Sequence, residues 1–331
     1  MSETTGNFEK PKHASSNATP RKVSDEIYPD RGEASKHTTP QSDCAIDFSR
    51  NPIGVIGLGL MGSHIAQRLG NQNLAVIGFN RSPKILDGIE VASDFPSFAK
   101  RCTLFWIMVS DGEATEAMID ALIDLDITDK IIINAATIAP DHSEILAEKV
   151  RQAGGYYLEV PVLGSVPQVK TGTLQLLIGG DRKIIDRCQP VLDALGTITH
   201  FGPVRAGMAA KLAYNQLIGS LTAAFSMSLS LAQREGVDID TFMATLRESA
   251  LYAPTFDKKL ANMLQHKYDQ ANFPLKHLLK DIRLFTKCAD DQQIDTHPLI
   301  GLQHVLEESI YQGHAEHDYS ALHDNIYHRA H

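Results

Sequence analysis

A glycine-rich turn between an apolar segment and a helix-forming stretch constrains this chain more than any other feature. The apolar segment 53–57 runs into the pattern Gly57-x-Gly59-x-x-Gly62, and a second apolar segment, 74–79, lies one helix further on. Such glycines permit a tight turn, a close approach to a pyrophosphate and close packing of helix on strand. The helix N-terminus offers free N–H groups to the phosphates. An ordinary turn of an α/β protein is the alternative, but the flanking strand and helix favour a dinucleotide site. Its predicted residues are Gly57, Leu58, Gly59, Leu60, Met61 and Gly62.

The polar triplet Asn80-Arg81-Ser82, which ends the second apolar segment, indicates which dinucleotide binds. An NAD site usually places Asp or Glu there, because the carboxylate holds the ribose 2′-hydroxyl. That carboxylate is missing here, and the Arg81 guanidinium suits a 2′-phosphate. The sequence therefore favours NADP, with NAD as the alternative, and all three residues are predicted to bind the cofactor.

The composition is that of an ordinary globular protein, with 331 residues of which 43% are hydrophobic and 21% charged. A net charge of −9 argues against a nucleic-acid partner. No apolar run approaches the roughly 20 residues that cross a membrane. The cysteines show neither a disulfide framework nor a metal-ligand pattern, so we expect a cytoplasmic protein without a metal site. They are Cys44, Cys102, Cys188 and Cys288.

The sequence divides into three parts. Residues 1–50 are rich in polar and charged residues and predict a disordered tail, with a small partner-binding arm as the alternative. Residues 51–204 alternate apolar strands with helix-like stretches, which predicts a mostly parallel sheet with helices on both faces. Residues 205–331 contain only helical patterns and begin with one long helix, 206–234. The predicted fold class is α/β: an N-terminal Rossmann-type dinucleotide-binding domain, then an all-helical C-terminal domain joined by a long interdomain helix.

Three residue groups lie at predicted strand ends, where open α/β sheets bind ligands. Val109 ends the apolar segment 104–109, and we assign it to the cofactor site. Thr137 follows the strand 131–134 and either contacts the nicotinamide or substrate or caps the helix before Pro140. Gly164 and Ser165 follow another strand, where exposed N–H groups either hold a substrate carboxylate or belong to a plain loop.

The long helix carries a polar face that a buried helix does not need. Gly207, Lys211 and Asn215 are four residues apart and so share one side. A buried lysine without a role is costly, which favours a functional Lys211 over one that extends its ammonium to solvent. The basic run 273–284 is compatible with a solvated helix face.

Together these segments resemble the β-hydroxyacid dehydrogenase family, and within it most the glyoxylate/succinic semialdehyde reductase branch. The resemblance runs from about residue 53 to the C-terminus. The motifs that carry it are Gly57-Leu-Gly-Leu-Met-Gly62, Asn80-Arg81-Ser82, Pro161-Val-Leu-Gly-Ser165 with Gly172-Thr-Leu and Gly179-Gly180, Lys211 with Asn215, and Phe273-Pro-Leu-Lys-His with Lys280-Asp281.

The resemblance implies roles for individual residues. Lys211 matches the family's catalytic lysine, and Asn215 matches the asparagine beside it at the substrate. The remaining correspondences are Thr137 and Lys280 at the nicotinamide end, Phe273 and Asp281 in the substrate pocket, and Gly164 and Ser165 at the substrate carboxylate. Leu163 and Ala136 depart from the family, which usually has Ser at both positions, so the identity of the acid is open and a less polar substrate is conceivable.

The resemblance implies an NADP-dependent oxidoreductase. It would transfer a hydride between the nicotinamide and a small hydroxy acid or aldehyde acid, with Lys211 as proton donor and acceptor. An imine reductase shares this architecture but typically carries Asp or Tyr at the lysine position, and a non-catalytic NADP-binding regulatory protein is the other alternative. The apolar character of the long helix predicts a homodimer or homotetramer.

Overall fold

The structure, a computed structural model, describes residues 46–328. Most of the predicted tail, residues 1–45, lies outside the described residues. The described residues begin before the predicted domain start at 51. Phe48 is 2% exposed and packs in the core beneath the sheet, and its carbonyl accepts the N–H of Ala75 at 2.8 Å.

Nine strands in the described chain form one sheet. They are β1 (Ile53–Ile56), β2 (Val76–Phe79), β3 (Glu90–Ala92), β4 (Leu104–Ile107), β5 (Ile131–Asn134), β6 (Tyr156–Glu159), β7 (Val162–Leu163), β8 (Leu174–Gly180) and β9 (Gly196–Gly202). The order is β3-β2-β1-β4-β5-β6-β8-β7, with β9 paired to β8. The strands from β3 to β6 are parallel, whereas β8 runs antiparallel to β6 and β7. The carboxyl ends of β1, β4 and β5 therefore share one edge.

Helices cover both faces of this sheet. The helices of the sheet domain are α1 (Leu60–Asn71), α2 (Phe95–Arg101), α3 (Gly112–Ile123), α4 (Pro140–Gln152), α5 (Val166–Thr171), α6 (Arg182–Arg187) and α7 (Gln189–Leu195). Alternate residues of one strand enter different cores, because side chains alternate along a strand. Trp106 packs in one core with α1 and α7, whereas Phe105 and Ile107 pack in the other with α2, α3 and α4. This two-sided burial explains why the strands are continuous apolar runs.

The remainder of the described chain is helical. Its α-helices are α8 (Ala206–Arg234), α9 (Ile239–Arg247), α10 (Pro254–Gln265), α11 (Leu275–Asp291), α12 (His297–Ser309) and α13 (Leu322–Tyr327), with a π-helical turn at Ile310–His314 and a 3₁₀ turn at Tyr319–Ala321. The first turns of α8 pack on β8 and β9, and its later turns pack on the helices that follow. A core around Leu278 and Leu306 joins α11, α12 and α13, and a smaller core around Leu229 and Met263 joins α8, α9 and α10.

The predicted fold class is confirmed. The helix predicted at 206–234 has the observed bounds, and β5 matches its predicted range. The prediction did not resolve several short elements, among them β3, β7, α5 and β9. Among residues 46–328, no helix has both the length and the apolar character that crossing a membrane requires.

Candidate active site

The turn between β1 and α1 has the shape of a phosphate cradle. A Cβ at Gly62 would lie 1.9 Å from the Gly57 carbonyl oxygen, so only glycine lets the helix start this close to the strand. Gly59 precedes α1, and no side chain caps the helix there. Nothing lies within 4 Å of where a Gly59 Cβ would be. The turn therefore offers open space and uncapped N–H groups, which fit the pyrophosphate of a dinucleotide.

The end of β2 braces this turn. The Asn80 side chain accepts the Leu58 N–H at 3.0 Å and donates to the Ser82 carbonyl at 3.0 Å. Its amide thus holds the turn in place, while Arg81 and Ser82 stay exposed. The ammonium of Lys84 also donates to the Leu58 carbonyl. Lys84 was not predicted from the sequence, and it places a cation at the glycine turn itself.

The ends of β4 and β5 continue the same edge of the sheet. The Val109 side chain comes within 3.0 Å of where a Gly57 Cβ would lie, which places Val109 against the glycine turn. The carbonyl of Thr137 accepts a hydrogen bond from the Lys280 ammonium at 2.6 Å. This bond joins the loop after β5 to α11, so it links the sheet domain to the helical part at the site.

Three further predicted residues meet where α8 faces α11. The Asn215 amide donates to Asp281 Oδ2 at 2.6 Å, and these two side chains are 0% and 2% exposed. Lys280 forms an ion pair with Asp281 Oδ1 at 2.9 Å. The Asn215 carbonyl oxygen is buried and finds no hydrogen-bond partner among residues 46–328. A buried acceptor left without a partner costs about 1–3 kcal/mol, so a donor from a bound ligand would be favourable there.

The electrostatic environment of Lys211 suits proton transfer. Burial lowers the pKa of Lys211 to about 8, the nearby Asp281 carboxylate acts to raise it, and Lys280 acts to lower it. At neutral pH the ammonium still predominates, yet the neutral amine becomes accessible about one pH unit above. A group of this kind can donate a proton in one direction of a reaction and accept it in the other.

The predicted carboxylate-binding turn is already internally bonded. Gly164 has φ +132°, and Ser165 lies directly before α5. The Ser165 N–H and hydroxyl both donate to Gln168 Oε1, at 2.9 and 3.0 Å. No hydrogen bond of the described residues joins this turn to Lys211 or Asn215. A carboxylate bound here would therefore take the place of the Gln168 oxygen.

Phe273 packs at the edge of the helical core. Its ring lies 5.8 Å from that of Tyr319 in a T-shaped arrangement. Its carbonyl accepts the Tyr319 N–H at 3.0 Å, which fixes the chain before α11.

The sequence prediction also missed the role of Glu159. This residue ends β6, is 0% exposed, and accepts hydrogen bonds from the first turn of α8. A charged residue at the end of an otherwise apolar strand was the available signal.

Two family models match consecutive parts of the chain. The first, described as the NAD binding domain of 6-phosphogluconate dehydrogenase, matches residues 52–202. The second, described as the NAD-binding domain of NADP-dependent 3-hydroxyisobutyrate dehydrogenase, matches residues 206–326. Their junction coincides with the start of α8.

Individual proteins show the same similarity. Glyoxylate/succinic semialdehyde reductase 2, chloroplastic, of Arabidopsis thaliana is 28% identical over 280 residues, which cover 82% of this chain and 78% of the relative. Glyoxylate/succinic semialdehyde reductase 1 of the same plant is 28% identical over 279 residues, which cover 82% and 96%. The structure of Mycobacterium tuberculosis 3-hydroxyisobutyrate dehydrogenase with L-serine has a TM-score of 0.76 at 20% identity, covers 83% of this chain and 99% of that one, and so shares the fold.

The two matched models follow one another in the order that the sequence motifs predicted, and together they extend from the first strand to the last helix. The resemblance is thereby confirmed: the chain belongs to the β-hydroxyacid dehydrogenase family, a group of NAD(P)-dependent oxidoreductases.

Proposed function

We propose that this protein is an NADP-dependent reductase of small aldehyde or keto acids, with Lys211 as the proton donor. Glyoxylate and succinic semialdehyde, after which the two plant relatives are named, are the first substrates to test. The observation that carries the proposal is the buried Asn215–Asp281 pair near Lys211, an amine whose pKa burial lowers. That combination provides an acid, a fixed amide and a carboxylate in one small volume.

Different residues of the chain have separate roles in carbonyl reduction. When bound, the reduced nicotinamide supplies a hydride to the carbonyl carbon. Lys211, as the ammonium, stabilises the charge that develops on the carbonyl oxygen and transfers its proton to that oxygen, which yields the hydroxyl. Asn215 orients the same group, and Asp281 holds Asn215 in place through the 2.6 Å bond. In the oxidative direction the neutral Lys211 amine takes the proton back, which its pKa of about 8 permits at mildly alkaline pH.

The contact between Lys280 and Thr137 supports a site for this chemistry next to the dinucleotide-binding domain. The Lys280 ammonium reaches both the Thr137 carbonyl, at 2.6 Å, and Asp281, at 2.9 Å. One side chain thus connects the loop after β5, where a nicotinamide would lie, to the carboxylate that faces Lys211. We assign Thr137 and Lys280 to the nicotinamide end on this geometry.

We assign the binding of the substrate carboxylate to Gly164 and Ser165. Their N–H groups and the Ser165 hydroxyl would bind the carboxylate once it replaces Gln168 Oε1. Leu163, next to Gly164, supplies no hydroxyl at this end of the site, and Ala136 supplies none beside Thr137. Because a site that lacks hydrogen-bonding groups discriminates weakly against apolar substituents, we expect a broad tolerance for the substrate chain.

A substrate panel with matched variants tests the proposal. Purified protein would be given glyoxylate, succinic semialdehyde and a cyclic imine with NADPH and NADH in parallel. 3-Hydroxyisobutyrate, which is already a reduced hydroxy acid, would be given with NADP⁺ and NAD⁺ in parallel. We expect turnover of an aldehyde acid with NADPH. Lys211→Ala should lower kcat by about 10²- to 10⁴-fold, the usual contribution of a general acid, while NADPH still binds. Lys258→Ala, at an exposed lysine of α10, is the control and should leave kcat unchanged.

Each alternative predicts a different result in the same panel. Turnover of the cyclic imine alone would identify an imine reductase. Tight NADPH binding without turnover of any carbonyl compound would identify a regulatory protein. A Lys211→Ala variant with near-wild-type kcat would show that another group donates the proton.

We further propose that the protein associates with a second copy through α8. One side of this helix exposes five large apolar residues, at 37–64% of their surface. They are Tyr214, Leu217, Leu221, Met227 and Leu231. Their spacing places them along one stripe of the helix, and such a stripe is the usual form of a subunit interface.

A further inference from the structure

A buried carboxylate lies where the sheet meets the long helix. Glu159 is the last residue of β6 and pairs with Asn134 of β5 on one side and Gly179 of β8 on the other. It is 0% exposed. Burial raises the pKa of Glu159, while the bonds from Ser143 and the helix N–H groups act to lower it. A charged group so enclosed persists in a fold only where its partners are well placed.

Those partners are the first N–H groups of α8. Glu159 Oε1 accepts the Gly207 N–H at 2.8 Å and the Met208 N–H at 3.2 Å. The second carboxylate oxygen accepts the Ser143 hydroxyl of α4 at 2.6 Å. Both oxygens are therefore bonded, and the carboxylate bridges a sheet-domain helix to the start of α8.

Among residues 46–328, no other side chain caps the long helix at this end. Its N-cap residue, Arg205, has φ +93° and makes no side-chain capping bond. The first four N–H groups of a helix lack internal partners, and a carboxylate at that end is favoured by the helix dipole. Glu159 serves as the cap, although it lies 48 residues earlier in the sequence than Gly207.

Close packing fixes the start of α8 at this cap. A Cβ at Gly207 would lie 2.4 Å from the Leu177 carbonyl oxygen and 3.2 Å from Glu159 Oε1. The helix backbone thus lies directly on β8 and on the carboxylate. Lys211 follows Gly207 by one turn, about 6 Å along the axis, and Asn215 follows by two. The height and rotation of α8 at the cap therefore set where both side chains point.

The hydrogen bonds of Ser143 extend this arrangement towards the cofactor edge. Its hydroxyl also meets the Tyr157 hydroxyl at 3.0 Å, and Tyr157 accepts the Asn134 amide at 3.1 Å. Asn134 in turn accepts the Ala136 N–H at 3.0 Å, in the loop that leads to Thr137. One buried polar chain thus connects the start of α8 with the loop at the nicotinamide end.

We infer that Glu159 is a positioning residue for Lys211 and Asn215: by capping α8 across the domain junction, it fixes the helix that presents them. The inference rests on the proposed function for its kinetic consequence. Because Glu159 is 0% exposed and bonds to the N–H groups of Gly207 and Met208, it acts through the backbone of α8. The electrostatic influences on Lys211 come from Asp281 and Lys280, not from Glu159, so the effect is geometric.

Two substitutions distinguish the effect of the length of the Glu159 side chain from the effect of its charge. Glu159→Asp keeps the charge but withdraws the carboxylate by about 1.5 Å, one carbon–carbon bond. Glu159→Gln keeps an acceptor oxygen at full reach and loses the charge. Since a shift of about 1 Å in a reacting group can cost about 100-fold, we expect Glu159→Asp to lower kcat about 10- to 100-fold with an unchanged KM for NADPH. Glu159→Gln should keep kcat within about threefold.

A matched control distinguishes positioning from stability. Asp238 caps α9 by accepting the Thr241 N–H at 2.8 Å, and α9 carries no predicted site residue. Asp238→Ala should lower the melting temperature and leave kcat unchanged. Equal kcat losses in the Asp238 and Glu159→Asp variants would overturn the inference, as would a folded Glu159→Asp variant with wild-type kcat.

A measurement without turnover keeps the inference testable if the proposed function fails. The rate at which acetic anhydride modifies Lys211, followed by mass spectrometry across pH, reports the hydration and pKa of that amine. Wild type and Glu159→Gln should titrate near pH 8, the value to which burial lowers the Lys211 pKa. Glu159→Asp should titrate closer to an ordinary lysine, because a loosened helix end admits water. Identical profiles in all three proteins would refute positioning by Glu159, whatever the substrate panel shows.

Discussion

Removal of the negative charge at Asp281 should shift the pH dependence of the reaction towards acid. Asp281 raises the pKa of Lys211, against the larger lowering by burial. Two unit charges about 6 Å apart at an effective dielectric of about 20 interact by about 3 kcal/mol, or about two pKa units. Lys280, 2.9 Å from Asp281, already neutralises part of that charge. We therefore expect Asp281→Asn to lower the Lys211 pKa by about one unit, from about 8 towards 7.

The lowered Lys211 pKa affects the rates of reduction and oxidation in opposite ways. Reduction needs the ammonium, so its rate falls as pH rises through the Lys211 pKa, and in Asp281→Asn this fall should begin about one unit lower. Oxidation needs the neutral amine, so its rate should rise at lower pH. The assay is the pH profile of kcat/KM in both directions at saturating cofactor, from pH about 6 to 10.

A second variant supplies the opposite sign. Lys280 lowers the pKa of Lys211, so Lys280→Met should move both limbs of the profile towards alkaline pH. In the Asp281→Asn variant, the carbonyl oxygen of the new asparagine can still accept the hydrogen bond from the Asn215 amide, so the geometry of that pair is kept. Limbs that stay in place in both variants, or that move in the same direction, would refute Lys211 as the titrating group.

Three further predictions concern the cofactor, the assembly and the stability of the protein. Arg81→Glu should raise the KM for NADPH at least about tenfold and leave NADH little changed, because a carboxylate repels a 2′-phosphate and suits a 2′-hydroxyl; equal losses with both cofactors would contradict the NADP assignment. Leu217→Glu, on the exposed stripe of α8, should produce monomers in analytical ultracentrifugation, and a wild-type protein that is itself monomeric at micromolar concentration would exclude the interface. Asp318 is 0% exposed and lies 2.8 Å from the Lys259 ammonium, so Asp318→Ala should lower the free energy of unfolding by about 3–5 kcal/mol in urea titrations, whereas a loss below about 1 kcal/mol would show that Lys259 finds another partner.

The sequence predicted the elements whose pattern is long or chemically specific. The strand 131–134 has three consecutive isoleucines before Asn134, and the helix 206–234 has no proline, so both have their predicted bounds. The glycine turn is specific because each glycine has a separate steric reason. Short elements such as β3, of three residues, and α5, of six, carry too few residues for a periodicity to appear.

Site residues could be proposed from the sequence only where a motif or a helix-face pattern includes them. Lys211 and Asn215 were singled out by their shared helix face, the resemblance added Asp281, and the structure adds that Asn215 and Asp281 are bonded to each other. Glu159 could not be found in this way, because its partners are backbone N–H groups 48 residues away in sequence. The contact of Lys84 with the turn is equally invisible, since it depends on how the chain returns after β2.

Because α8 is one unbroken helix, a small tilt at one end produces a larger displacement at the other. The helix runs unbroken for 29 residues, with Lys211 near one end and the exposed Leu231 near the other. These residues are about 30 Å apart along the axis at 1.5 Å per residue. A tilt of only about two degrees about Leu231 would carry Lys211 sideways by about 1 Å, a displacement that matters for a reacting group. Because the Glu159 cap holds the near end of α8, contacts made at the far end would displace Lys211 only by loosening that cap.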